Sequence, residues 1–418
     1  MPARKRVSAP RARHQRAGVG PRENVNKDVA IIGAGPAGAW AAYTLARCGA
    51  RVALIDPSHP REKPCGGGVT SRALAIVARA LDVTCLPACA IRSARFTDSA
   101  RGGSALVDLS RRETTHGQGP VPDLIVASRT EFDGRLVAAA RAAGAELLTS
   151  RVTDITAEAR GFRIDTASGP QWAARVIGAD GANSLVRRRL ARRLGREQMS
   201  IATGYFAHGV TSDEIVIELV ADPPGYIWSF PRPTHLAIGI CAQADAGVTA
   251  GALRARALDW IGRTGIAAGA RLESYSWPIP SLASRDFDSL AVSGRGWCLA
   301  GDAAGLVDPI TREGIYFALL SGEWAAEGMM SDGAASGVRY AERVRDEIGT
   351  ELARAARFKT GFFRPRFTRL MMDALGHSEG IQRVMADLLA GRQPYAGLKW
   401  RLARTFEVGL AWRLLARY

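Results

Sequence analysis

The sequence predicts an α/β chain, α+β overall: a Rossmann-like domain with a parallel sheet and a β-meander, an inserted domain of antiparallel sheet, and C-terminal helices. Three observations predict it. Residues 28–56 run as buried strand, glycine-rich turn, Ala-rich helix and second buried strand, a βαβ opening that calls for a parallel sheet. Residues 200–292 change texture to alternating strands broken by Pro and Gly. Residues 296–301 then return to a buried strand, and from about 346 the pattern is helical with Arg on the polar face.

Taken in order, residues 1–27 are rich in Arg, Pro and Gly with almost no apolar periodicity, which reads as a disordered basic arm. Strand 29–32, helix 36–48 and strand 52–56 follow. Residues 90–121 hold turn residues and short alternating segments, including 104–109, and read as β structure projecting from the first domain. Residues 130–144 form an amphipathic helix. Residues 146–178 read as three short strands separated by Ala-Arg-Gly and Ser-Gly-Pro turns, a meander. The second texture holds strands 215–220, 227–230 and 236–240 and one helix at 253–264, a sheet suited to covering a ligand. The strand at 296–301 is expected to open a long helix. The first domain is therefore discontinuous (28–90, 122–195 and 293–345), with the sheet domain (91–121 and 196–292) inserted and a helical region at 346–418.

Composition limits the function classes. Of 418 residues, 47% are hydrophobic and 23% charged, the balance of a soluble globular protein. No run approaches the roughly 18–20 apolar residues that span a bilayer, and no apolar signal segment opens the chain, so a cytoplasmic protein is expected. The net charge of +16 divides unevenly: residues 1–27 carry eight basic residues and one acid, and residues 354–418 carry thirteen and four. The stretch between them is neutral, with 35 of each sign. That pattern argues against a nucleic-acid groove and leaves an anionic membrane surface or an acidic partner. Leu402, Phe406, Leu410 and Leu414 are spaced by four, with Arg401, Arg404, Arg413 and Arg417 around them. This suits either a basic surface touching the inner membrane face or a helix packed on the first domain. The six cysteines should be reduced. Cys85 and Cys89 lack a second Cys/His pair, so no metal is expected. No cysteine follows Cys298, which removes an iron–sulfur cluster held by C-terminal thiolates.

The chemistry begins at Gly33-Ala34-Gly35-Pro36-Ala37-Gly38, a GxGxxG set between a buried strand and a helix. Gly33 allows the tight turn and Gly35 the approach of a pyrophosphate. Gly38 permits close packing, and the helix N-terminus at Pro36 and Ala37 supplies amides and a positive dipole. Asp56 closes the second strand 23 residues after Gly33, where a carboxylate can accept ribose hydroxyls. A dinucleotide follows; FAD and NAD are not distinguished by these residues.

Two more stretches make that choice. Ala179-Asp180-Gly181 ends a strand and is followed by Arg187; Gly301-Asp302 ends another. Both resemble the DG and GD motifs of the flavoprotein monooxygenase superfamily, whose founding fold is p-hydroxybenzoate hydroxylase. The resemblance implies FAD, with Asp302 at the ribityl chain and the next helix aimed at the flavin. Arg129 is similar to the arginine those enzymes keep near the cofactor.

A finer resemblance, from about 28 to 330, is to the geranylgeranyl reductase family. It rests on Lys63-Pro64-Cys65-Gly66-Gly67-Gly68-Val69, on Pro224-Gly225-Tyr226-Ile227-Trp228-Ser229-Phe230-Pro231, and on Gly301-Asp302-Ala303-Ala304-Gly305-Leu306-Val307-Asp308-Pro309. Where the family reads Thr-Gly-Glu-Gly-Ile, this chain has Thr311-Arg312-Glu313-Gly314-Ile315. The resemblance implies that Cys65, Gly66, Gly67, Val152, Gly181, Gly314 and Ile315 join the cofactor-binding set. It also implies Cys65, Tyr226 and Trp228 as catalytic residues. The implied reaction is saturation of a carbon–carbon double bond in a polyprenyl lipid, quinone or related isoprenoid, by hydride from reduced FAD and a proton from an acid. NADPH or a ferredoxin-like protein would supply electrons. Three glycines in a row suit a backbone lying against a planar ring or admitting a ligand. Cys65 reads as a proton donor, a redox thiol or a small packing residue. Tyr226, Trp228 and Phe230 alternate on a strand and share a face, as an aromatic wall for an isoprenoid or as plain sheet core. The alternative is a flavin monooxygenase or halogenase acting on an aromatic or secondary-metabolite substrate, since the YIWSFP segment also resembles the WxWxIP motif of halogenases.

Overall fold

The computed structural model describes residues 27–98, 102–110, 114–115, 120–330 and 335–405. The basic arm (but for Lys27) and Phe406, Leu410, Leu414, Arg413 and Arg417 of the C-terminal stripe lie outside the described residues.

Lys27–Ile32 is all apolar after its first two residues and is buried on both faces, as an interior parallel strand must be. It lies between Val52–Ile55 and Gly169–Gly178, both parallel to it, and Glu146–Leu148 extends the sheet beyond Val52–Ile55. The ten-residue strand Gly169–Gly178 has two roles. Its first half pairs antiparallel with Gly161–Thr166, which pairs in turn with Val152–Glu158. Its last three residues pair in parallel with Trp297–Leu299. Register then does something local sequence does not show: Ile32 lies beside Gly178, and Gly178 beside Leu299. Three strands far apart in the chain end at one level. The turns that follow them, at residues 33, 179 and 300, open on one crevice at the carboxyl edge of the sheet.

The first sheet and the Gly301 turn differ from what the sequence predicts. Glu146–Leu148 is a parallel edge strand, so the meander is the three strands after it. The segment before 121 joins the inserted sheet: Ser93–Asp98 and Gly103–Asp108 form a hairpin whose first strand pairs in parallel with Glu214–Ala221. Gly301-Asp302 does not open the long helix. It forms a 3-10 turn, Gly301–Ala304, ended by Gly305 in the left-handed region (φ 80°). The Asp308 carboxylate then accepts from the amides of Ile310 and Thr311, which folds a loop before the helix Ile315–Met330 begins.

The second sheet has seven strands, in the order Arg271–Pro280, Met199–His208, His235–Gln243, Pro224–Pro231, Glu214–Ala221, Ser93–Asp98, Gly103–Asp108. Alternation along Pro224–Pro231 splits its side chains between two faces. Ile227 enters an apolar cluster with Ile238, Ile240 and Trp260 of the helix Ala250–Thr264. Trp228 points the other way, packed with Phe206 and Tyr275. Trp260 is fully buried, and its indole N–H donates to Glu218 at 2.8 Å, which satisfies the polar end of a large apolar group.

The helical region starts earlier than expected, with Ala335–Arg343, a π-helical stretch Val344–Gly349, and Thr350–Phe362. Pro365–His377, Glu379–Leu389 and Leu398–Arg404 follow. Leu402 packs toward Ile310, Val384 and Leu398, so the first turn of the basic stripe faces protein. No described helix is long and apolar enough to cross a membrane.

Candidate functional site

A cavity of about 570 Å³ runs from the carboxyl edge of the first sheet to the open face of the second. At the sheet edge, Gly33 adopts φ 98°, and a Cβ there would lie 2.4 Å from the Ala179 carbonyl oxygen. The first turn therefore needs glycine both for its conformation and to touch the second turn. A Cβ on Gly35 would meet only His59 Nε2, at 3.8 Å, which leaves that backbone open to the cavity. A Cβ on Gly38 would sit 1.8 Å from the Gly33 carbonyl oxygen; a Cβ on Gly322 of the helix Ile315–Met330 would sit 2.4 Å from that of Ala37. Packing requires these two glycines.

Asp56 ends its strand with both oxygens in use. Oδ2 accepts from Ala34 N at 3.0 Å, and Oδ1 accepts from the amides of Ser58 and His59 at 2.8 Å each. His59 Nδ1 lies 2.9 Å from Oδ2, and its Nε2 lies 3.4 Å from the buried Asp133. Burial opposes ionisation of Asp56, but the hydrogen bonds and charge of His59 with the backbone donors hold its pKa well below the usual carboxylate range. His59 responds in the opposite sense: burial is outweighed by the two carboxylates and its pKa rises.

From Asp133 the network continues to a thiol. Arg129 starts the helix Arg129–Ala142, so its partner one turn on, Asp133, lies on the same face; Arg129 Nη2 is 2.6 Å from Asp133 Oδ2. Burial works against the Arg129 cation, and the Asp133 charge more than restores it. Arg129 Nη1 reaches Cys65 Sγ at 3.5 Å. On the other side is Arg232, with no solvent exposure, whose Nη2 donates to the Cys65 carbonyl at 2.6 Å and lies 4.0 Å from Sγ. Arg232 also pairs with Glu62, which accepts from Ser128 Oγ and Arg129 N. The glycines after Cys65 fit this crowding. A Cβ on Gly66 would lie 2.7 Å from the Phe230 ring, and one on Gly67 (φ 85°) would lie 2.4 Å from Ala127 O. Gly66 and Gly68 stand against the Phe230 ring, and with Gly67 they line the cavity.

The far wall is aromatic. Tyr226, Trp228, Phe230 and Trp277 line the cavity with Ile215, Ile279, Leu124 and Leu389. Tyr226 donates through Oη to the Thr311 carbonyl at 3.1 Å, tying the second sheet to the loop of the first domain. Lys63 bridges the floor, 2.9 Å from Asp302 Oδ2.

Most residues singled out in the sequence meet at this cavity: Gly33, Gly35, Pro36, Ala37, Asp56, Cys65, Gly66, Gly67, Arg129, Val152, Asp180, Gly181, Asp302, Gly314 and Ile315 line it, with Tyr226 and Trp228. Gly38 and Gly301 do not; they pack elements behind it, Gly301 (φ 57°) against Ala37 and Ala318. Asp180 divides its carboxylate. Oδ2 accepts from Leu185 N and Val186 N, while Oδ1 is buried without a partner. A cradle of three glycine turns with an unused acceptor, continuous with an apolar chamber, fits FAD. His59, Glu62, Asp133 and Arg232 were not anticipated. Asp133 was readable as the i+4 partner of Arg129. Arg232 was not: it stands 167 residues from Cys65, and no local pattern joins them.

The FAD binding domain family matches residues 26–253. Menaquinone reductase of Mycolicibacterium smegmatis is 32% identical over 333 residues, covering 74% of this chain and 78% of that protein. Geranylgeranyl diphosphate reductase of Rhodobacter capsulatus is 30% identical over 318 residues, covering 73% and 75%. Among solved structures, a geranylgeranyl bacteriochlorophyll reductase-like protein from Thermoplasma acidophilum shares the fold with a TM-score of 0.73 at 22% identity, over 91% of this chain and 99% of that one. A flavin-dependent brominase shares it with a TM-score of 0.65 at 19% identity, over 90% and 98%.

Proposed function

The chain belongs to the geranylgeranyl reductase family of FAD-dependent oxidoreductases, and from that premise we propose that it saturates carbon–carbon double bonds of a geranylgeranyl or other polyprenyl group. The observation that carries the reading is the continuity of one cavity. The glycine cradle, the Cys65 thiol and the aromatic wall of Tyr226, Trp228, Phe230 and Trp277 all line it. Bound in the cradle, FAD supplies the electron pair of the reduction.

The remaining work falls to the chain's own residues. An isolated alkene accepts electrons poorly, so positive charge that develops on carbon needs support without water. Indole and phenol faces give that support while excluding solvent. The neighbouring carbon needs a proton, and Cys65 Sγ is the proposed source. Arg129 and Arg232, within 3.5 and 4.0 Å of the sulfur, favour the negative charge left on it. Asp133 and Glu62 keep those guanidiniums in place through ion pairs made away from the thiol.

Electrons reach the flavin from NADPH or a ferredoxin-like carrier; the donor that bleaches the oxidised flavin band anaerobically identifies which. Contact with an anionic membrane belongs to the same reading. Its support is Trp400, 76% exposed beside Lys399 and Arg401. Liposome flotation that is equal with and without residues 399–418 would remove it.

The reaction is tested by anaerobic incubation of the reduced protein with geranylgeraniol. A product heavier by two hydrogens for each double bond supports the reading. An unchanged alcohol contradicts it. An oxygenated or halogenated product formed only in air supports the monooxygenase or halogenase alternative.

A further inference from the structure

Arg312 occupies a backbone conformation that disfavours it. Its φ is 61°, in the left-handed region, and it is the one non-glycine residue with positive φ among the described residues. The Tyr226 phenol fixes the carbonyl before it, and its own N–H donates to the Asp308 carbonyl at 3.0 Å. A side chain larger than hydrogen here costs conformational energy, so what the guanidinium does matters.

It lines the cavity at the Tyr226 end of the aromatic strand, four residues and about 13 Å from the Phe230 end beside Cys65. Nη1 donates to Ser281 Oγ at 2.6 Å, and Nε has no acceptor. A second cation stands behind it. Lys359, from the helix Thr350–Phe362, donates to the same Ser281 Oγ at 2.8 Å and to Gln243 Oε1 at 2.5 Å. Burial and the adjacent Arg312 charge bring its amine down to about 7. Two cations thus share neutral acceptors, and among the described residues neither forms an ion pair with a carboxylate. Like charges brought together under partial burial are unfavourable; the amine answers by releasing its proton more readily, and an anion beside Arg312 would favour the charge on both.

We propose that Arg312, backed by Lys359, is a specificity-determining residue that anchors an acidic group, carboxylate or phosphoryl, at the end of the substrate away from Cys65. The assignment rests on the polyprenyl reading and deepens it. Such a substrate lies along Tyr226, Trp228 and Phe230 with its acidic end at Arg312 and an apolar double bond toward the thiol. A carboxylate or phosphoryl oxygen would accept from the guanidinium and compensate both cations.

The test is binding to the oxidised holoenzyme, read by perturbation of the flavin spectrum, and needs no turnover. Three probes share one chain: geranylgeraniol, geranylgeranoic acid and geranylgeranyl diphosphate. The wild type should bind at least one acidic probe about tenfold or more tighter than the alcohol, as expected for a charge-assisted hydrogen bond. Which acid is preferred tells carboxylate from phosphoryl. R312G, which places glycine at φ 61°, and K359Q should each reduce that preference while leaving the alcohol's affinity within about twofold. Equal affinity for alcohol and acids in the wild type overturns the assignment, as does a preference that both variants retain. Binding of none of the three probes contradicts the polyprenyl reading itself and takes this assignment with it.

Discussion

Cys65 and His59 belong to one chain of charges, joined through Asp133 and Arg129, and each gives a different test. If the Cys65 thiol donates the proton, C65A should keep its flavin and lower turnover by about 10²–10⁴, the usual contribution of a positioned acid. C65S should recover little, because a hydroxyl gives up its proton far less readily than a thiol. Turnover of C65A near wild type, at unchanged flavin content, would return the residue to a packing role. His59 gives a stability test with a definite sign. Its folded-state pKa is raised, so its contribution is fully present below the ordinary histidine value and is lost as pH rises through the raised one. The difference in Tm between wild type and H59Q should therefore be largest near about pH 5.5 and shrink at alkaline pH. A difference that does not vary with pH would mean that His59 acts by shape alone.

At the scale of elements, the site is made by register. The GxGxxG turn, the Asp180 turn and the Gly301 turn were each visible in the sequence as a strand ending in small residues. That they share one edge follows from Ile32, Gly178 and Leu299 lying side by side, a consequence of long-range pairing. The parallel pairing of Ser93–Asp98 with Glu214–Ala221 was illegible for the same reason, since its partner is some 120 residues away. The start of Ile315–Met330 was misplaced because Asp308 and Gly305 build a loop where the apolar pattern continues. Arg312 was legible as a departure from a family pattern; the strain of its φ and the nearby Lys359 needed the fold. Two glycine substitutions separate packing from conformation. A Cβ at Gly38 has no room, so G38A should cost about 1–3 kcal/mol as overpacking and lower the flavin content of the purified protein. At Gly49 (φ 82°) nothing lies within 4 Å, so G49A should cost only about 1–2 kcal/mol of strain and keep full flavin content. Equal flavin loss in both would show that the first turn does not depend on this close approach.

Across the whole molecule, the charge divides between a neutral middle and two basic ends. The neutral middle supplies both sheets except Lys27 and the cavity lining except Leu389. Only part of the basic C-terminal stripe lies among the described residues, and there Leu402 turns toward protein while Trp400 faces outward. The two sheets meet at the chamber because the strand Pro224–Pro231 gives Ile227 to its helix-covered face and Trp228 to the cavity. On the proposed function, electrons held by FAD in the cradle pass to an alkene held against this wall. The most direct measurement is anaerobic stopped-flow mixing of the reduced protein with geranylgeraniol, followed at the oxidised flavin band. The band should return without oxygen, in proportion to the double bonds saturated, and more slowly in C65A. A flavin that stays reduced until air is admitted would contradict that function.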